Sequence, residues 1–229
     1  MTPAARFLMA CAAVALALPA GVAVARPKGP PGGTYGDPAD LIATEIAFAR
    51  IASEKGFAAA VKAKAAPDAQ FIGPEGEVRA GSFDKAQAIP RGFAHRVIRQ
   101  VWASCDGTYA LTRGTYDEAD VGKPALAYAS LWQRQKKGDY RLVLDIARPG
   151  TALLAGDEKP VDFVEGVVAD CPRRGTAPPP AETPDDPHAL HDYTHGQSRD
   201  HTLSWEVGNG ALTVSIQREG KPQVVLGAR

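Results

Sequence analysis

The sequence lacks an excess of charge of either sign, because 26 Lys and Arg residues balance 26 Asp and Glu residues. A chain this close to neutral has no global electrostatic attraction for nucleic acid or for anionic membranes. It also lacks a phosphate-cradling glycine loop, a nucleophile elbow and a paired-cysteine metal motif. We therefore expect no nucleic-acid partner and none of the catalytic classes that depend on those motifs.

Long apolar runs are missing everywhere except at the amino terminus. Arg6 supplies a positive charge there, Phe7 to Leu18 form an apolar run, and Ala23-Val24-Ala25 is a small-x-small cleavage site. Residues 1–25 are therefore predicted to be a signal peptide, and the mature protein to be exported, periplasmic or secreted, with no membrane contact after cleavage. An uncleaved anchor and a lipid attached at Cys11 are the alternatives.

Cysteine is scarce, and only Cys105 and Cys171 lie beyond the predicted signal. Export allows these two residues to form a disulfide. The alternative is a pair of free cysteines, one of them buried. The sequence leaves both open, because it does not give the distance between the two residues.

The first half of the mature chain predicts an α+β domain over residues 37–149, after a disordered, Pro- and Gly-rich leader at 26–36. Asp37 and Pro38 mark a helix start. The helix from Leu41 to about Glu54 carries an apolar stripe of Ile42, Ile46 and Ala49, widened by Phe48 and Ile51. A second helix is predicted from Phe57 to Lys64 and a third, short one from Ser82. Strands are predicted at 71–72, 77–79, 95–105, 108–116, 127–136 and 140–147.

The second half predicts an appendage to this domain. Residues 150–201 read as a Pro-rich linker or insertion. Residues 202–229 predict a C-terminal β-hairpin, because two strand patterns flank Gly208-Asn209-Gly210, and a third strand is predicted at 223–226. A lone hairpin is marginal in water, so we expect it to pack against the main sheet.

Residues 41–149, about half of the chain, resemble the nuclear transport factor 2-like superfamily, in particular its SnoaL-like and uncharacterised exported bacterial members. The resemblance implies a curved antiparallel sheet that wraps the N-terminal helices into a cone with an open pocket, and a homodimer formed through the outer sheet face. The residues that carry it are Glu45, Phe48, Ala49, Gly56, Phe57, residues 66–69, residues 132–135, Gly138, Leu144 and Asp145.

The ketosteroid isomerases on this fold need a carboxylate base, a tyrosine and a protonated acid. When the sequences are matched through Gly56, the base falls at Gly73 and the tyrosine at Ala49. The strand that would supply the third member, residues 125–135, contains no Asp or Glu. Isomerase chemistry of that kind is therefore disfavoured.

Two functional hypotheses remain, and neither calls for a cofactor. The first is a non-catalytic domain that binds a small hydrophobic molecule or serves as a dimeric scaffold. The second is a SnoaL-like or dehydratase-type acid–base enzyme acting on a small cyclic or carbonyl compound. The candidate ligand-binding residues are Trp102, Tyr109 and Trp132, and the candidate catalytic residues are His95, Tyr128 and Asp145. Each of these side chains is alternatively a core or structural residue.

Histidines cluster near the predicted linker, and His188, His191 and His195 have a spacing that suits zinc. The surrounding Pro- and Gly-containing sequence gives little of the rigidity that a metal site needs. An exposed polar loop is the favoured interpretation, and we expect no metal.

Overall fold

The computed structural model of the protein describes residues 35–73, 76–83, 96–116, 126–149, 163–172, 192–208 and 211–227. These residues form two helices, α1 (Pro38–Lys55) and α2 (Phe57–Lys64). They also form eleven strands: β1 (Ala65–Gly73), β2 (Gly76–Arg79), β3 (Arg96–Ala103), β4 (Tyr109–Tyr116), β5 (Leu126–Arg134), β6 (Tyr140–Pro149), β7 (Glu165–Val168), β8 (His195–Gln197), β9 (Leu203–Gly208), β10 (Ala211–Arg218) and β11 (Lys221–Leu226).

Helix α1 begins and ends where its capping residues predict. The Asp37 side chain accepts a hydrogen bond from the Ala39 amide at 2.9 Å, and the chain leaves the helix at Gly56, whose φ of +89° favours glycine. The buried stripe differs from the predicted one. It consists of Leu41, Glu45, Phe48 and Ala52, whereas Ile46 is 57% exposed. The helix is therefore rotated so that a carboxyl group faces the core.

The main sheet has seven strands in the order β2-β1-β6-β5-β4-β3-β7. All neighbours are antiparallel except β1 with β6 and β3 with β7. The predicted α+β class is confirmed, because the described residues form two helices and a large, mostly antiparallel sheet that is not closed. The helices pack on one face of the sheet, which we call the helix face. Phe48 and Phe57 contact each other there, and each contacts a ring from the sheet, Trp132 and Phe71 respectively.

The opposite face of the main sheet, which we call the outer face, is covered by a second sheet of the same chain. This sheet has the order β11-β10-β9-β8. The ring of Trp205 on β9 lies 4.7 Å from the ring of Tyr109 on β4, and the Tyr193 amide donates to the Gln70 side chain on β1 at 2.5 Å. The apolar residues of β9, β10 and β11 belong to the same buried cluster as those of the main sheet. The main sheet therefore lies between two layers.

The region predicted as a linker, 150–201, differs from the prediction at two places. Strand β7 extends the main sheet beside β3, with Glu165 opposite Gln100, and strand β8 extends the second sheet beside β9. Strand β7 is short and pairs with a strand distant in sequence, so no local pattern predicts it. Strand β8 pairs with the next strand of the chain, but its three residues are too few to show an alternating pattern. Residues 150–162 and 173–191 lie outside the described residues. The predicted strands near the carboxyl terminus appear as β9, β10 and β11.

The predicted third helix is not observed where the structure describes the chain. A single 3-10 turn occupies Ala80–Ser82, and residues 84–95 lie outside the described residues. The end of the predicted leader, by contrast, is held in place. The Gly36 amide donates to the Cys105 carbonyl at 2.9 Å.

Cys105 and Cys171 form a disulfide, with their Cα atoms 5.1 Å apart. It joins the turn after β3 to the segment that follows β7, across a sequence separation of 66 residues. Cys105 is buried and Cys171 is exposed. Both partners flank strands of the main sheet, so the bridge closes a loop within this layer.

Replacement of both cysteines by serine should lower the free energy of unfolding of the mature protein by up to about 4 kcal/mol, the loop-closure entropy expected for a bridge of this span. Urea titration followed by tryptophan fluorescence measures the loss. Wild-type protein in a dithiol reductant is the matched control and should unfold like the double variant. Two titratable thiols in unreduced mature protein would contradict the bridge.

Candidate functional site

A buried arginine occupies the space between helix α1 and the main sheet. Arg96 is the first residue of β3, and its side chain is completely inaccessible to solvent. Its Nε lies 3.0 Å from Oε1 of Glu45 on α1, and its Nη2 lies 3.1 Å from Oδ1 of Asp145 on β6. One buried cation is thus placed between two buried carboxyl groups.

Hydrogen-bonding side chains from β4 and β5 complete this group. Ser130 is the cross-strand neighbour of Asp145, to which it donates a hydrogen bond while accepting one from Nη2 of Arg96. Thr112 donates to Oε2 of Glu45 at 2.8 Å and accepts from the Trp132 indole at 3.1 Å. We call Glu45, Arg96, Thr112, Ser130 and Asp145 the Arg96 cluster. Its members come from α1 and from four adjacent strands.

Aromatic rings surround the guanidinium group. Its central carbon lies 3.7 Å from the ring centroid of Tyr128, 5.0 Å from that of Phe48 and 6.0 Å from that of Tyr116. A cation over the face of a ring is attracted by its quadrupole, and more strongly when water is excluded. The rings therefore stabilise the charge of Arg96 and form an apolar wall around it.

Burial shifts the protonation equilibria of the cluster. Burial raises the pKa of Glu45, and this effect outweighs the opposing effects of Arg96 and Thr112. Burial by itself lowers the pKa of Arg96, but Asp145 and Glu45 together raise it well above the usual value. Burial also raises the pKa values of Tyr116 and Tyr128 well above 10, with a further rise from the nearby carboxylates. The guanidinium group is therefore charged and both phenols are neutral.

Not every nitrogen of the Arg96 guanidinium group donates a hydrogen bond to the described residues. Among the described residues, its Nη1 has no hydrogen-bond partner, although the atom is buried. Its Nε and Glu45 Oε1 are close enough for an ion pair, but they are not aligned as a hydrogen bond. Oε1 of Glu45 and the hydroxyl of Tyr128 are likewise buried without a hydrogen-bond partner among the described residues, so donors and acceptors of this region are both left unmatched, which is costly.

The predicted site residues divide between the two faces of the main sheet. Tyr128, Trp132 and Asp145 lie together at the Arg96 cluster. Tyr109 lies on the outer face under Trp205, and Trp102 packs there against the Arg113 guanidinium at 5.7 Å. The structure thus does not bring Trp102 and Tyr109 together with Trp132. His95 lies outside the described residues.

Four members of the cluster were not predicted as site residues: Glu45, Arg96, Thr112 and Ser130. Glu45 shares a helix face with Leu41, Phe48 and Ala52, so spacings of three and four residues place its carboxyl in the apolar stripe. A β-bulge between Ile98 and Gln100 disturbs the alternation along β3, so counting in twos from one end misassigns part of this strand.

Of the three histidines of the metal alternative, only His195 lies in the described part of the chain. His195 is exposed and lies 3.9 Å from the Asp192 carboxylate, whereas His188 and His191 lie outside the described residues. In the part of the chain that the structure describes, no three His, Cys, Asp or Glu side chains are grouped so that they could hold a metal ion.

None of the helices in the described part of the chain is long and apolar enough to span a bilayer.

No protein-family model and no curated protein matches the chain. Solved structures similar to it include an NTF2-like protein from Cytophaga hutchinsonii, at 12% identity over 49% of this chain and 98% of that one, with a TM-score of 0.33. An NTF2-like superfamily protein from Salmonella enterica shares 16% identity over 52% and 96% of the two chains, with a TM-score of 0.33. An NTF2-like protein from Rhodospirillum rubrum shares 20% identity over 47% of this chain and 97% of that one, with a TM-score of 0.31. These three structures are described as NTF2-like, in agreement with the sequence resemblance. Likeness at this level says nothing about activity.

Replacing Arg96 by methionine should lower the free energy of unfolding by about 3–5 kcal/mol, because two buried carboxyl groups lose their cation. The triple variant Glu45→Gln, Arg96→Met, Asp145→Asn should regain part of this loss, since no buried charge is left unpaired. Arg141→Met is the matched control. Its ion pair with Asp139 is solvent-exposed, so its loss should cost less than about 1 kcal/mol. Strictly additive costs in the triple variant would contradict the cluster.

Replacing Glu45 by glutamine should alter how stability depends on pH. The folded-state pKa of Glu45 is raised above its ordinary value near 4.5, so its contribution is fully present below that pH and is lost as the pH rises through the folded-state value. The free energy of unfolding of the wild type, minus that of Glu45→Gln, should therefore fall as the pH rises above about 4.5. Urea titrations at several pH values measure this difference, and a rise would show that the shift has the opposite sign.

Proposed function

We propose that the protein is an exported, non-catalytic domain whose main sheet curves around its helices and binds a small, mainly apolar molecule at the Arg96 cluster. One observation carries the proposal. Nη1 of Arg96 is buried beside the rings of Phe48 and Tyr128 and has no hydrogen-bond partner among the described residues. A ligand oxygen would satisfy that donor while the rings contact the rest of the molecule.

The charges of the cluster indicate what kind of oxygen it accepts. The cation of Arg96 is already balanced by Asp145, and the raised pKa of Glu45 moves the second carboxyl towards its neutral form. The cluster therefore has no surplus positive charge with which to attract an anion. A neutral carbonyl or hydroxyl oxygen suits it better than a carboxylate or phosphate, which would add an unbalanced buried charge.

The positions of the predicted catalytic residues favour binding over catalysis. The Asp145 carboxylate is held by Arg96 and Ser130, and burial opposes ionisation of Tyr128. A general base must be able to reach and accept a substrate proton at working pH. Tyr128 stays protonated and so has no basic site, and Oδ1 of Asp145 is already engaged by Arg96 and Ser130.

A second candidate function is supported by Glu45 alone. A buried carboxyl with a raised pKa beside a charged guanidinium is suited to carry a proton to a carbonyl oxygen. This arrangement would serve a SnoaL-like or dehydratase-type reaction on a small cyclic or carbonyl compound. His95 remains a proposed general base for the same reaction.

A ligand screen distinguishes the two proposed functions. Mature protein should gain thermal stability with some members of steroid, polyketide, terpene and aromatic libraries. The shift should be lost in Arg96→Lys, which keeps the charge but removes the forked nitrogens, and kept in the exposed control Arg141→Met. His95→Ala tests the residue outside the described part. No stabilising compound, or a shift that survives Arg96→Lys, would contradict the proposal, and ligand turnover that Glu45→Gln abolishes would favour the enzyme.

Export is tested separately from binding. If residues 1–25 are a cleaved signal, the mature protein recovered from a Gram-negative host should reside in the periplasm and begin at Arg26. Amino-terminal sequencing and cell fractionation provide the measurement. A chain that retains residues 1–25 and fractionates with membranes would favour the anchor.

A further inference from the structure

Both ends of the disulfide lie next to contacts with the second sheet. Cys105 belongs to the turn between β3 and β4, and its amide donates to the Thr202 hydroxyl, just before β9, at 2.8 Å. Cys171 follows Asp170, whose amide donates to the Gln217 carbonyl on β10 at 2.9 Å. The bridge therefore joins two segments of the main-sheet layer, each of which holds the second sheet.

These contacts close into a ring that passes through both layers. The Gln217 amide donates to the Thr202 carbonyl at 2.8 Å, so the two contact points are joined within the second sheet. On the opposite side they are joined by the bond between Cys105 and Cys171, with Asp170 as the neighbouring residue in the chain. The other links of the ring are hydrogen bonds and backbone, so the disulfide is the link that a thiol can break.

Further hydrogen bonds strengthen each contact point. Beside the β3–β4 turn, the Asp106 amide donates to Oδ2 of Asp200 at 2.8 Å, and the Asp200 amide donates to Oδ2 of Asp106 at 3.2 Å. Beside the segment after β7, the Glu219 amide donates to Oδ2 of Asp170 at 2.6 Å. Two contacts that are held at a fixed separation support each other, because opening one leaves the other in place to close it again. The disulfide fixes that separation on the main-sheet side.

The two cysteines differ in their access to solvent. Cys105 is 3% exposed, whereas Cys171 is an exposed residue. A thiolate from solvent therefore reaches Sγ of Cys171. Its attack forms a mixed disulfide at Cys171, breaks the bond to Cys105 and releases Cys105 as a thiolate, which takes a proton from water. The second thiol of a dithiol reductant then attacks the mixed disulfide, so that the reductant is oxidised to a disulfide and Cys171 is released as a thiol.

We propose that the disulfide is a redox-sensitive switch: a dithiol reductant that attacks Cys171 lets the second sheet separate from the outer face while the main sheet stays folded. Strand β7 remains paired with β3 after reduction, and the Ala169 amide keeps its bond to the Ala103 carbonyl at 2.9 Å. The surface uncovered includes the ring of Tyr109, which lies under Trp205. In the proposed exported location the bridge forms by oxidation, and a thiol–disulfide oxidoreductase is the class of partner that reverses it.

Hydrogen exchange of two indole protons tests the switch, because each layer contains one of them. The indole of Trp205 donates to the Tyr193 carbonyl at 3.0 Å, and that of Trp132 donates to the Thr112 hydroxyl at 3.1 Å. Both exchange rates are measured by NMR in oxidised mature protein and in the same protein reduced with a small dithiol. Reduction should raise the ratio of the Trp205 rate to the Trp132 rate at least roughly tenfold, because the second sheet opens locally.

An unchanged ratio would overturn the proposal. If both protons accelerated equally, the bridge would stabilise the chain only through loop closure, and if neither accelerated it would not hold the second sheet. The double variant Cys105→Ser, Cys171→Ser is the matched control for the reductant. Its ratio should equal that of reduced wild-type protein and should not respond to the dithiol.

The route of attack is tested on wild-type protein with glutathione, a single thiol that leaves the mixed disulfide in place. Peptide mass spectrometry after acid quenching should find the glutathione adduct on Cys171. An adduct found mainly on Cys105 would contradict this route, because the buried sulfur would then be the one that thiols reach.

Discussion

The charge of Arg96 is the constraint around which the helix face is organised. A buried guanidinium group must be balanced and hydrogen-bonded, and these demands are met from several directions at once. Glu45 reaches it from α1, Asp145 from β6, and Ser130 bonds to both the guanidinium and Asp145 from β5. The rotation of α1 about its axis follows from this, because the turn that carries Glu45 must face the sheet. A one-residue shift of register in β5 or β6 would move Ser130 or Asp145 to the outer face of the main sheet.

Nη1 of Arg96, which has no hydrogen-bond partner among the described residues, connects the fold to the proposed function of the protein. A fully satisfied ionic cluster would be explained as a structural feature alone. Nη1 instead stays without a partner in the described residues, beside the buried rings of Phe48 and Tyr128. The outer face has the opposite character, since the second sheet covers it and the carboxylates of Asp106 and Asp200 each accept the other residue's amide. In the proposed function the two faces therefore have separate tasks: the helix face binds the ligand, and the outer face associates with the second sheet.

Much of the secondary structure could be predicted from local sequence, because helix caps and strand alternation are local signals. Helix α2 has its predicted bounds, and the hairpin through Gly138 appears as β5 and β6. The Arg96 cluster could not be predicted in this way, since it depends on which strands are neighbours and on the bulge in β3. Strand β7 was not predicted for the same reason, because its extended conformation depends on pairing with β3. The split of the predicted tryptophans and tyrosines between two faces likewise follows from the register between strands.

The guanidinium nitrogens of Arg96 give the most direct test of the central claim. In the nitrogen-15 NMR spectrum of mature protein, adding the most stabilising compound from the ligand screen should shift the Nη resonances of Arg96 and slow exchange of their protons, because Nη1 gains an acceptor. The indole resonance of Trp132 should shift with them, and that of Trp205 on the outer-face side should not. Shifts confined to Trp205, with the Arg96 resonances unchanged, would contradict a binding site at the Arg96 cluster.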